Sequence, residues 1–141
     1  MPRLVLKSDV AASPDLLWRA IKGFSAIGDW NPLVRKVESE GDTVGSTRRI
    51  ELEGAGRFVE RLEGLDDGER VYSYSIVDSP LPVRNCTVEV RVKDRGDGSA
   101  TVEWASNFES EVPGELEAVK TFQRLYQNAL DGLQDRFGIK R

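Results

Sequence analysis

From about residue 33 to residue 110 apolar and polar positions alternate with a period of two, broken only by short turns. The period then lengthens to that of a single amphipathic helix, from about Gly114 to Phe137. Period two marks strands with one buried face, and period 3.6 marks a helix with one buried stripe. The strand-like runs are 33–40, 45–53, 56–65, 69–78, 83–95 and 99–110. The turns between them include Gly41-Asp42, Gly54-Ala55-Gly56, Asp66-Asp67-Gly68 and Gly96-Asp97-Gly98. Links this short join antiparallel neighbours.

Ahead of this block, residues 3–10 alternate as a further strand. Ser13-Pro14-Asp15 then starts a helix: Ser13 caps free amides, Pro14 suits the first turn, and Asp15 complements the positive end. Leu17, Trp18 and Ile21 form its buried side, and Gly23 stops it. A second helical turn over Phe24 to Asp29 ends at Trp30-Asn31-Pro32, because a residue before proline is pushed out of helical geometry. The closing helix buries Val119, Phe122, Tyr126, Leu130, Leu133 and Phe137. Gly138 is placed as its left-handed cap, with Ile139 folding back onto Leu133. About 24 residues of helix span roughly 36 Å, against about 26 Å for an eight-residue strand, so the helix crosses the whole sheet.

Parity assigns the inward faces: Arg48, Ile50 and Leu52; Phe58, Glu60 and Leu62; Tyr72, Tyr74 and Ile76; Arg84, Cys86, Val88, Val90 and Val92; Val102, Trp104, Ser106 and Phe108. The sheet should curl away from the helix and leave a gap between them. Arg48, Glu60, Arg84, Ser106 and the tyrosine hydroxyls are polar groups on otherwise apolar faces, and each needs a partner, water or a ligand. A few fixed polar groups in an apolar space are the usual makeup of a small-molecule site. The alternative is a structural ion pair of Glu60 with Arg48 or Arg84. The aromatic side chains likewise serve either as ligand contacts or as core.

Composition narrows the chemistry. The 141 residues suit one domain spanning 1–141, and 39% hydrophobic content supports a real core. Lys+Arg 20 against Asp+Glu 24 gives a net charge of -4, which argues against a nucleic-acid partner. With no histidine and one cysteine, histidine triads and the usual zinc sets are excluded, and no metal or other cofactor is expected. Cys86 reads as a small buried hydrophobe. No apolar run approaches a membrane span and the N-terminal residues lack signal-peptide architecture, so a cytoplasmic location is expected. Oligomeric state is open, with a monomer as default.

The order and spacing of several segments resemble the START-like, or SRPBCC, superfamily, and within it small bacterial polyketide cyclase/dehydrase-like proteins. The resemblance runs through Ala11-Ala12-Ser13-Pro14, Leu17-Trp18, Trp30-Asn31-Pro32, Gly45-Ser46-Thr47-Arg48, Glu60-Arg61-Leu62, Tyr72-Ser73-Tyr74-Ser75-Ile76, Leu81-Pro82, Val102-Glu103-Trp104 and Gly132-Leu133. It implies an α+β helix-grip fold: a seven-stranded curved antiparallel sheet around the C-terminal helix, with two short helices after the first strand. It also implies a deep pocket for a hydrophobic molecule of lipid, sterol or polyketide type, around Trp30, Arg48, Glu60, Tyr74, Trp104, Phe122 and Tyr126. Tyr72, Arg84 and Phe108, on the same inward faces, complete the candidate ligand contacts. The superfamily includes carriers, receptors, co-chaperones and cyclases, so the fold leaves the activity open. Non-catalytic binding or transport is the first reading. The alternative is a cofactor-independent cyclase or dehydratase, with Glu60 as acid/base and Arg48, Tyr74 or Tyr126 polarising a carbonyl. A surface interaction module ranks third.

Overall fold

The computed structural model describes residues 3–110 and 112–139. Strand β1 (Arg3–Val10) leads to helix α1 (Pro14–Ile21) and a 3-10 helix (Phe24–Asp29). Six strands follow: β2 (Val34–Ser39), β3 (Thr47–Leu52), β4 (Gly56–Asp66), β5 (Val71–Asp78), β6 (Val83–Asp94) and β7 (Ala100–Ser110). Helix α2 (Val112–Phe137) closes the described chain. The strands form one antiparallel sheet in the order β1-β7-β6-β5-β4-β3-β2. Consecutive strands from β2 to β7 are neighbours, as their short turns require. Strands β1 and β2 occupy opposite edges, so α1 and the 3-10 helix carry the chain across the sheet between them. This is the α+β helix-grip arrangement.

Local chemistry accounts for the element ends. Ser13 Oγ accepts a hydrogen bond from Leu16 N at 3.2 Å, and Pro14 fills the first helical position. Trp18 Nε1 donates to Asp67 Oδ1 at 2.8 Å and Lys22 Nζ approaches the same oxygen at 3.1 Å, pinning α1 to the β4–β5 turn. Helix α2 starts two residues before the expected Gly114, since Pro113 is tolerated in a first turn that needs no N–H from it. Its 26 residues span about 39 Å. Gly138 ends the helix with φ +101°, a conformation that favours glycine, and its N–H donates to Gln134 O at 2.8 Å. Ile139 pairs with Val10 as an isolated bridge and is 53% exposed, and the Gly138 carbonyl accepts from Ala11 N at 3.0 Å.

The inward parity of the strands holds at nearly every position. Ile50, Phe58, Leu62, Tyr72, Tyr74, Cys86, Val88, Val90, Val92, Val102, Trp104 and Phe108 are buried. Arg84, expected on the inward face, is the exception. The register of β6 against β7 shifts between Arg84 and Thr87, where Asn85 takes φ +51°. This bulge reverses the alternation, so the Arg84 side chain points outward at 67% exposure beside Glu109. Asparagine enters the left-handed region more easily than most residues, which is why the bulge sits there. No helix among the described residues is long and apolar enough to cross a membrane.

Candidate functional site

The backbone of α2 comes closest to β1 and β7, and it diverges from the middle of the sheet. Side chains fill the wedge this leaves. Phe108 of β7 packs on Phe122 at 5.0 Å between ring centroids, Phe122 stacks on Tyr126 at 5.5 Å, and Tyr126 stacks on Trp104 at 5.7 Å. Trp30, at the end of the 3-10 helix, lies 5.8 Å from Trp104. A small void survives among Asn31, Leu33, Glu60, Tyr74, Trp104, Phe122, Leu125, Tyr126 and Ala129. Its volume is about 30 Å³, room for a water molecule and not for an organic ligand. The gap expected from sheet curvature exists in position, but aromatic rings occupy most of it.

Neighbouring strands bring the polar groups together. Arg48 of β3 sits opposite Glu60 of β4 in register. Both are buried, at 1% and 3% exposure. Arg48 Nε donates to Glu60 Oε1 at 2.8 Å, and Arg48 Nη1 donates to the Phe24 carbonyl at 2.7 Å. The guanidinium carbon lies 3.9 Å from the Phe24 ring centre, a cation–π contact. Arg48 Nη2 lies 2.8 Å from Glu60 Oε1 as an ion pair, yet its N–H is not aligned for a hydrogen bond. Glu60 therefore pairs with Arg48 and not with Arg84. The Arg48 hydrogen bond goes to Oε1, and the Glu60 side chain lines the void. Burial pushes the Glu60 carboxyl above its ordinary range, and the charge and hydrogen bond of Arg48 only partly offset that push.

Several other buried polar atoms among the described residues also have no hydrogen-bond partner. Trp30 Nε1, Trp104 Nε1, Ser106 Oγ and Tyr126 Oη are buried with no hydrogen-bond partner among the described residues. Ser106 Oγ faces the Tyr126 hydroxyl closely enough to favour its ionisation slightly, without well-formed hydrogen-bond geometry. Burial raises the pKa of the nearby tyrosine hydroxyls and of the thiol further, so these groups stay neutral at pH 7. The Tyr72 hydroxyl and the Cys86 thiol are each pushed up to about 12, and Tyr74 and Tyr126 are raised well above their usual value. Cys86 is buried and protonated, an inert core group. Native interiors rarely leave buried polar atoms unpaired, and indole N–H groups can only donate. The unpartnered atoms on and around Trp104 and Tyr126 suit a hydrogen-bond acceptor.

Of the candidate residues, Glu60, Tyr74, Trp104, Phe122 and Tyr126 line the void. Trp30 packs directly behind Trp104, and Arg48 sits behind Glu60. Tyr72 stacks on Tyr74 and meets Trp18, and Phe108 lies under Phe122, so both are core positions away from the void. Arg84 is outside altogether. Sequence reasoning missed Asn31, Leu33, Leu125 and Ala129 as lining residues. Leu125 and Ala129 carried a usable signal, since they lie three and seven positions after Phe122 on the same helical stripe. Asn31 and Leu33 lie in an irregular connection, where no periodicity points inward.

Chains of known structure share this architecture. XoxI from Bacillus cereus is 31% identical with a TM-score of 0.87, over 97% of this chain and 96% of that one. A protein from Thermobifida fusca is 30% identical with a TM-score of 0.86, over 98% of this chain and 94% of that one. The Zhui aromatase/cyclase of a Streptomyces species shares the fold at 21% identity and a TM-score of 0.79, over 96% of this chain and 92% of that one. Residues 1–138 match the family described as polyketide cyclase / dehydrase and lipid transport. With the helix-grip sheet, the closing helix and this whole-length match, the chain belongs to the polyketide cyclase/dehydrase and lipid transport family, of SRPBCC type.

Proposed function

We propose that the protein binds a small, largely apolar and uncharged molecule in the space between α2 and the sheet. The observation that carries this reading is the set of unpartnered buried donors beside the void that Glu60 lines. An acceptor oxygen on the ligand, such as a ketone or phenol oxygen, would satisfy the Trp104 and Tyr126 donors. A ligand hydroxyl would donate to the Glu60 carboxylate, which lines the void. Arg48 and Glu60 already compensate each other, so an anionic ligand would meet the carboxylate without a free counter-charge. Uptake requires Phe122 and Tyr126 to repack, because the void of about 30 Å³ is water-sized. Native mass spectrometry of gently purified protein, followed by titration with a panel of aromatic ketones, phenols, sterols and fatty acids, tests this. A stoichiometric adduct, or saturable binding of the uncharged aromatic members, is expected. Bare protein that binds nothing in the panel would sink the reading.

The position of Glu60 supports a second reading, a cyclase or dehydratase. A buried carboxyl with a raised pKa, facing the void, is suited to take and return a proton at a carbon beside a carbonyl. The Tyr126 and Trp104 donors would stabilise the enolate oxygen. Arg48 would act behind Glu60, since its aligned donors go to Glu60 and Phe24. Turnover of an established substrate that survives Glu60→Gln would end this assignment.

A further inference from the structure

Helix α2 meets the segment after the 3-10 helix at Gly132. A Cβ at Gly132 would lie 2.5 Å from Pro32 Cδ and 2.6 Å from the Trp30 carbonyl oxygen. The second contact is with backbone, which cannot rotate away. Glycine is disfavoured inside a helix, so its presence here answers a need for close approach. One turn later Arg136 Nη1 donates to Asp29 O at 2.8 Å and ties down the end of the 3-10 helix, from which that segment leads. Asn31 and Leu33 of that segment and Leu125 and Ala129 of α2 all line the void. Ala129 is one helical turn before Gly132. The approach of helix and segment at Gly132 therefore bears on the spacing of these lining residues.

We propose that Gly132 sets the width of the interior slot, and through it the size of the molecule the slot takes. The statement about size rests on the binding function proposed above, whereas the statement about width does not. Relieving a 2.5 Å collision to ordinary contact moves the segment by about 1 Å. The movement carries Trp30, Asn31 and Leu33 away from α2 and opens the slot at its Ala129 end.

The experiment uses the full chain carrying Trp18→Phe, so that fluorescence reports Trp30 and Trp104. In that background Gly132→Ala and Arg136→Ala are each compared with the parent, with folding checked by far-ultraviolet circular dichroism. Arg136→Ala frees the same segment without a collision and keeps the test decisive if Gly132→Ala does not fold. Acrylamide quenching should rise in both variants. The ratio of 1-naphthol to phenol affinity should rise roughly tenfold, the discrimination a small change in pocket size commonly gives. If the parent binds neither probe while quenching rises, slot width stands and the ligand reading falls. If the parent binds the probes but folded variants show unchanged quenching and an unchanged ratio, the role of Gly132 is overturned.

Discussion

Removing Arg48 exposes the physics of the buried ion pair most clearly. Arg48→Met keeps a long apolar stem and deletes the charge at a site only 1% exposed. Four contacts go: the pairing with Glu60 at 2.8 Å, the bond to Phe24 O at 2.7 Å, and the cation–π contacts with Phe24 at 3.9 Å and Tyr74 at 5.0 Å. A buried pair broken on one side costs about 3–5 kcal/mol, because the remaining charge has no counter-ion. Against a total stability of about 5–15 kcal/mol, that is a large fraction. The cost depends on pH, and the sign follows from the carboxyl. The folded-state pKa of Glu60 is already raised by burial, and losing Arg48 removes what held it down. A group whose folded pKa exceeds its unfolded value contributes stability that is present below the unfolded pKa and lost as pH rises through the folded one. The variant should therefore lose the full amount near pH 8. Near pH 5 it should lose only about 1–2 kcal/mol, the cost of the hydrogen bonds. Urea denaturation followed by circular dichroism across that range measures both. Arg48→Met combined with Glu60→Leu should recover most of the loss, since a buried pair replaced by apolar groups is often neutral. A loss that is independent of pH, or below about 1 kcal/mol near pH 8, would refute the reasoning.

Other positions give simpler outcomes. Phe108→Ala, fully buried against Phe122, should cost about 3–5 kcal/mol in urea denaturation. Ser13→Ala removes the cap on Leu16 N and should cost about 1 kcal/mol by the same assay. Ser106→Ala deletes a buried hydroxyl with no aligned partner, so stability should hold within about 1 kcal/mol or improve, while affinity for a phenolic ligand falls in calorimetric titration.

How far the sequence foretells the site depends on the kind of signal at each residue. Alternation placed Arg48, Glu60, Tyr74 and Trp104 on the inner face, because strands β3, β4, β5 and β7 keep their alternation through those positions. It misplaced Arg84, because alternation cannot register a single left-handed residue such as Asn85. Helical spacing gave Phe122 and Tyr126, and a fuller use of it would have added Leu125 and Ala129. The choice between Arg48 and Arg84 as partner of Glu60 needed the register of β3 on β4, which sequence leaves open. Cavity volume is the least legible quantity. Sheet curvature predicts a gap, but whether Phe108, Phe122, Tyr126 and Trp104 fill it depends on rotamers and on the approach allowed at Gly132.

If the protein binds its ligand as proposed, the donors around Trp104 and Tyr126 receive a ligand oxygen. The most direct measurement follows the three indole N–H resonances by nuclear magnetic resonance during titration with 1-naphthol. The Trp104 signal should shift saturably, and the Trp18 signal, held by Asp67 at 2.8 Å, should stay in place. No saturable shift at Trp104, or equal shifts at Trp18 and Trp104, would contradict the account.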